Sequence, residues 1–149
     1  MAADFLGAFA LVVRNERYLL VGNDRYIDGR LQRTWDLPGG RVEPGELLHE
    51  AVVRELREET GLQAAGVPRF AFVQEGERVV DGARQHAWRS FFFHLEARGE
   101  PVAGQEVRAV RWVAPADIEG VCTAPYHDSF RSWLKRGGEH LLSSWRETS

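Results

Sequence analysis

Runs of apolar residues, separated by short polar clusters, divide the chain into several strands and one long helix. Phe5 to Val13 is apolar enough for a buried strand, Asn15-Glu16 reads as a turn, and Tyr18 to Val21 is the returning strand of a hairpin. Asn23 to Arg33 is polar, glycine-containing and rich in arginine, the pattern of a surface loop. Trp35-Asp36-Leu37 is a short extended segment closed by Pro38-Gly39-Gly40. Glu46 to Thr60 holds no Pro or Gly and is predicted helical; Pro44-Gly45 marks its start and Gly61 its stop.

Further strands are predicted over Arg69–Gln74, His86–Glu96 and Ala109–Val113, with Gly76–Arg84 and Gly99–Gln105 as connecting loops. Pro115 to Ile118 opens a short helical turn. Ser129 to Leu134 and Glu139 to Trp145 read as helices bent at Gly137-Gly138. Strands mixed with a central and a terminal helical part predict an α/β sandwich with a mixed sheet. No repeat or compositional shift divides it, so residues 1–149 are read as one domain.

Composition narrows the function classes. A net charge of −3 argues against broad binding to a nucleic-acid backbone, and no stable nucleic-acid complex is expected. Of 19 basic residues only Lys135 is a lysine; arginine forks suit phosphate oxygens, although genome composition gives the same bias. The lone Cys122 excludes an internal disulfide framework and a cysteine metal cluster. There is no basic, apolar leader and no run near 18 apolar residues. The expectation is a cytoplasmic protein without a membrane span.

The predicted helix carries its charges in an unexpected place. At 100° per residue Leu48, Ala51, Val52 and Leu56 form one face, and Glu55, Glu58 and Glu59 fall on the same half of the wheel. Like charges at the margin of an apolar face repel one another and lose hydration, near the helix end where the dipole disfavours them. A hard divalent cation removes both problems. A solvated face with pairs such as Glu50–Arg54 and Arg54–Glu58 accounts for part of the pattern, but not for Glu55 and Glu59 beside Leu48 and Val52. The turn Pro38-Gly39-Gly40-Arg41 allows close backbone approach to a ligand. Glu46 is read as accepting backbone N–H groups or pairing with Arg54, which would hold the loop against the helix.

Gly40, Glu46, Arg54, Glu55, Leu56, Glu58, Glu59, Gly61 and Leu62 fill a spaced signature. It runs glycine, five residues, glutamate, seven residues, then Arg-Glu-apolar-any-Glu-Glu-any-Gly-apolar. This stretch resembles the signature of the Nudix hydrolases without departure. Seven fixed positions at roughly 6% usage each make a chance match rarer than about 10⁻⁸ per window. The resemblance implies a Nudix α/β/α sandwich with a loop–helix–loop catalytic motif, of the MutT-like kind. It implies Mg²⁺, or Mn²⁺, held by Glu55, Glu58 and Glu59 with the Gly39 carbonyl as a further ligand. Arg54 would orient a box glutamate, and Glu55 or Glu59 would be the general base. Glu106 matches the place where MutT-like members recruit another glutamate, and also fits a solvent-facing loop charge.

The substrate is less constrained. Hydrolysis of a diphosphate linkage in a nucleoside triphosphate or related nucleotide is the favoured activity. ADP-ribose, dinucleoside polyphosphates and sugar nucleotides are alternatives, as is a Nudix module that binds nucleotides without cleaving them. Arg25, Arg30 and Arg33 are candidates for phosphate contacts. Tyr26, Trp35, Phe72 and Trp88 are candidates for stacking on a base. Phe91, Phe93 and Trp112 read as core, and His127-Asp128 as a surface turn rather than a cap over the cleft. A homodimer is left open, since many relatives dimerise.

Overall fold

The computed structural model describes residues 3–149. Three hairpins built on two-residue turns organise it. Asn15-Glu16 joins β2 (Val13–Arg14) to β3 (Arg17–Ile27), and Asp28-Gly29 joins β3 to β4 (Arg30–Asp36). Asp81-Gly82 joins β7 (Arg69–Val80) to β8 (Ala83–His94). All six turn residues have φ between 50° and 80°, the double left-handed geometry whose twist matches paired strands. The two Asp-Gly turns correct two expectations. Asn23 to Arg33 is not a loop but the end of β3 returning through β4, with Arg25 opposite Gln32. Gly76 to Arg84 is likewise a continuation of strand pairing, with Gly76 opposite Trp88.

The larger sheet has the order β11-β7-β8-β1-β5, where β1 is Phe5–Leu11, β5 is Gly39–Arg41 and β11 is His140–Glu147. It is mixed: β1 runs parallel to β8 and β11 parallel to β7, while β7–β8 and β1–β5 are antiparallel. The last strand overturns the predicted helix over Glu139–Trp145. Its side chains alternate between half-buried and exposed, with Leu141, Ser143 and Trp145 turned inward, a period of two that a helical face does not have. A smaller sheet joins β10 (Ala109–Val113), β3 and β2, with β4 on β3. Two short strands, β6 (Gln63–Ala64) and β9 (Ala97–Arg98), pair with each other.

Helices cover both faces of the larger sheet. The first, α1 (Leu48–Thr60), buries Ala51, Val52 and Leu56 against Ala8, Ala10 and Phe93. It starts two residues later than predicted, so Glu46 lies in the preceding loop. Glu50 sits at the third helical position, and its carboxylate accepts from the Leu47 N–H at 2.9 Å. On the opposite face, α2 (Pro115–Val121) and α3 (Asp128–Arg136) meet Leu11, Phe72 and Phe92 through Ile118 and Phe130. Phe72, predicted as a stacking candidate, is fully buried instead. It stacks on Phe92 at 4.2 Å and Trp133 at 5.0 Å between ring centres. Among the described residues no helix is long and apolar enough to cross a membrane.

Candidate functional site

The turn after β4 and the far end of α1 meet at one point. Gly39 has φ of 151°, and a Cβ there would strike the Ala8 carbonyl oxygen, so only glycine fits. Its N–H donates to Glu59 Oε1 at 2.7 Å. A Cβ on Gly40 would lie 3.0 Å from the Glu55 carboxyl, so the absent side chain leaves Glu55 its room.

Arg54 ties the motif together. Its guanidinium donates to both oxygens of Glu46, at 2.7 and 2.9 Å, and reaches Glu55 at 3.0 Å and Glu58 at 3.1 Å. Glu46 Oε1 also accepts from the Glu43 N–H at 3.0 Å, so this glutamate holds the loop against the helix. The Arg54 fork keeps the Glu46 carboxyl down at about 2. Glu50, an anticipated partner of Arg54, caps the helix instead.

The remaining glutamates differ in burial. Glu59 is 8% exposed, Glu55 is half-buried and Glu58 is exposed. Burial pushes the Glu59 carboxyl up to about 8, against the pull of the Gly39 N–H, and the charges of Glu55, Asp36 and Glu106 add to the rise. Burial raises Glu55 too, while Arg54 pulls it back and Glu58 and Glu106 push it further. Glu106 sits in the turn between β9 and β10, exposed, and close enough to act on both. In this conformation no three acidic, His or Cys side chains among the described residues close around a common point. The donor set still fits a hard divalent cation. One carboxyl group is buried with a single N–H partner and another is half-buried, beside a glycine turn that carries no side chain toward them.

From Glu59, Gly39 and Gly40 a cavity of about 760 Å³ runs along the sheet face that carries Phe9, Trp88 and Ser90. Its other walls are the β3 end of the first long hairpin and the short helical turn Pro125–His127. Arg25 and Tyr26, the candidates for phosphate contact and stacking, line it, on a strand rather than a loop; Arg30 and Arg33 do not, and Arg33 pairs with Asp24 at 2.7 Å. Trp88 lines it, whereas Trp35 packs under the Arg111 guanidinium. Trp112 lies under Arg14 and Phe93 is buried, as expected of core positions.

Sequence reasoning missed several residues of this wall. Asp36, 3% exposed, accepts from Asn23 at 3.1 Å, Tyr126 at 2.8 Å and Arg25 at 3.4 Å. The Arg25 guanidinium lies over the Tyr126 ring at 5.5 Å. His127, expected in a surface turn, is 1% exposed, and its Nε2 accepts from the Leu37 N–H at 3.3 Å. Burial holds its imidazole below the ordinary histidine range. Only the strand character of Asn23–Arg33 and Glu139–Trp145, unread in the sequence, would have brought Asn23 and Trp145 to this wall.

A mixed-sheet sandwich with a glutamate-bearing loop–helix–loop at the mouth of such a cavity defines a class. A family model described as NUDIX domain matches residues 4–134, and the chain belongs to the Nudix hydrolases, in their MutT-like form. It is 36% identical over 113 residues to a putative 8-oxo-dGTP diphosphatase of Bacillus subtilis, covering 75% of this chain and 68% of that protein. It is 35% identical to the CTP pyrophosphohydrolase of Escherichia coli, covering 61% of this chain and 63% of the relative. Among solved structures, the MutT protein of Bacillus halodurans superposes with a TM-score of 0.74 at 22% identity, over 97% of this chain and 90% of that one. The E. coli ORF135 protein gives 0.69 at 27% identity, over 89% and 87%.

Proposed function

We propose that the protein hydrolyses a phosphoanhydride bond of a nucleoside triphosphate, or of a closely related nucleotide, with Mg²⁺ or Mn²⁺ bound at the motif. The observation that carries this reading is the position of Glu59. It is a buried carboxyl at the end of a nucleotide-sized cavity, in contact with the glycine turn. The names of the relatives, an 8-oxo-dGTP diphosphatase and a CTP pyrophosphohydrolase, support the substrate class.

Glu55, Glu58 and Glu59 would hold the cation, with the Gly39 carbonyl and Glu106 as further oxygens. A divalent ion at this place neutralises phosphate oxygens and acidifies water. The chain's own residues do the rest. Arg54 holds Glu55 and Glu58 in orientation, as a supporting partner does for a ligand. One oxygen each of Glu55 and Glu59 is left free of N–H partners, so either accepts a proton from attacking water, and the two titrate as a coupled pair. The Gly39–Gly40 backbone, without side chains, lets a phosphate chain approach the carboxylates. Arg25 contacts the nucleotide from the cavity wall, beside Tyr26.

The test is a screen of nucleoside triphosphates, ADP-ribose, dinucleoside polyphosphates and sugar nucleotides with Mg²⁺, Mn²⁺ or a chelator, with products identified. Cation-dependent release of pyrophosphate or phosphate from a nucleoside triphosphate is expected. Turnover that survives full chelation, or no product from any substrate, would overturn the reading.

A further inference from the structure

Two side-chain amides stand in the cavity wall, and each has its nitrogen committed to an acceptor. Asn23 Nδ2 donates to Asp36 Oδ2 at 3.1 Å, an oxygen that also takes Arg25 Nε and Thr34 Oγ1. Gln74 Nε2 donates to the Tyr126 backbone carbonyl at 3.1 Å, which has no proton to offer in return. These partners orient both amides: Gln74 Nε2 also reaches Asp128 Oδ1 at 3.5 Å, so both its protons are placed and its carbonyl oxygen is what it has left to offer, while Asn23 keeps its oxygen and one N–H. Gln74 is 1% exposed, and its Oε1 accepts no hydrogen bond among the described residues. That oxygen is left unpaired in the cavity lining, and a ligand that brings a donor gains a hydrogen bond there.

The surroundings of Gln74 suit a flat ring. Gln74 is paired with Ser90 across the strands, and Gly76 with Trp88. A Cβ on Gly76 would strike the Trp88 indole, so the glycine gives the indole its place on the sheet. Phe9 and Tyr126 line the same cavity. Trp88 Nε1 is buried without a partner, against Gly76.

We infer that the cavity selects nucleotides whose base carries an exocyclic amino group, with Gln74 Oε1 as the acceptor that reads it and Asn23 Oδ1 as a second acceptor on the opposite wall. Cytosine, adenine and guanine carry such a group. Uracil and hypoxanthine lack it, and uracil sets a carbonyl where cytosine has the amine, placing oxygen against oxygen. This rests on the nucleotide-hydrolase reading above and adds the chemistry of the base.

The experiment compares kcat/KM for ATP, GTP, CTP, UTP and ITP with Mg²⁺. The fastest substrate is expected to be an amino-bearing one. It should exceed its counterpart (UTP for CTP, ITP for ATP or GTP) by about tenfold or more, since a site built to hydrogen-bond a group rejects the analogue without it. Gln74→Leu and the more flexible Gln74→Met should both bring that ratio to within about twofold. A ratio measured within one preparation is insensitive to the fraction folded. UTP or ITP as fastest substrate, or an unchanged ratio in both variants, would overturn the inference and leave the hydrolase reading standing. No turnover of any of the five would overturn the inference, and no product in the wider screen above would overturn the hydrolase reading with it.

Discussion

The N–H of Gly39 donates to Glu59 Oε1 at 2.7 Å, joining residues 20 apart in sequence across the turn and the helix end. The bond is possible because neither partner has a competitor. Gly39 carries no side chain in a space closed by Ala8, and Glu59 is on the face of α1 that packs inward. One backbone dipole offsets only part of the cost of burying a carboxylate, which is why the Glu59 carboxyl stands at about 8. The glycine turn and the buried glutamate thus define a place that favours either a proton or a cation.

Glu59→Gln separates these two roles. Between the ordinary carboxyl value of 4.5 and about 8, the folded chain keeps a proton on Glu59 that the unfolded chain has released. This group's contribution therefore falls as pH rises through that window. In chelator, the variant should be more stable than the parent at pH 8.5, by an amount on the order of a few kcal/mol, and the gap should close towards pH 5. Hydrolysis by the same variant should drop about 10³-fold or more. Urea melts at the two pH values check the first outcome; a variant less stable than the parent at pH 8.5 contradicts it.

Arg54→Lys keeps the charge and removes the fork. A lysine cannot take both Glu46 oxygens while reaching Glu55 and Glu58. The glutamates would lose orientation, and activity should fall about 10- to 100-fold without loss of helix content. Acid stability is a second readout. The Glu46 carboxyl, held at about 2, contributes stability that is present above 4.5 and lost as pH falls towards 2. The acid transition of Arg54→Lys should accordingly move to higher pH. Full activity with an unmoved acid transition would count against this role of Arg54.

The motif was legible because its spacing is rigid. Glu46 and Arg54 can pair only if a loop returns to the helix, and the signature encodes that return. The cavity was harder to read. Asn23 to Arg33 looks like a loop because its charged side chains point to water on an edge hairpin, and its turn, Asp28-Gly29, signals a hairpin only once strands on both sides are recognised. Glu139 to Trp145 contains helix formers, and pairing with β7 overrides that local preference. Asp36 was read only as part of an extended segment. Its partners Asn23 and Tyr126 lie 13 and 90 residues away in sequence, a separation that no local pattern spans.

Arg25 and Arg30 belong to the same hairpin but have different surroundings. Arg25 is fixed on the cavity wall by Asp36 and the Tyr126 ring, while Arg30 lies outside the cavity at the exposed hairpin turn. Arg25→Ala should raise KM for the best nucleotide about tenfold with a smaller change in kcat, the signature of lost ground-state binding. Arg30→Ala should leave both within about twofold. Steady-state kinetics on the two variants decide it, and equal effects would show that the cavity wall does not hold the substrate.

Gly104 and Gly120 predict opposite signs for one chemical change. Gly104 donates its N–H to the Glu59 carbonyl at 2.8 Å, and a Cβ there would strike the Glu58 carbonyl oxygen at the end of α1. Alanine must push the loop that carries Glu106 away from the helix, and should destabilise the fold by about 1–3 kcal/mol. Gly120 lies exposed in α2, and a methyl group added there would meet nothing within 4 Å. Alanine there lowers the entropy of the unfolded chain and should stabilise by about 0.5–1 kcal/mol. Because Gly104 packs on the peptide groups of Glu58 and Glu59, its substitution should also lower hydrolysis, whereas Gly120→Ala should leave kcat unchanged. Denaturant melts and initial rates on the two variants test the pair. A neutral Gly104→Ala would mean that the loop yields freely and that Glu106 is not held against α1.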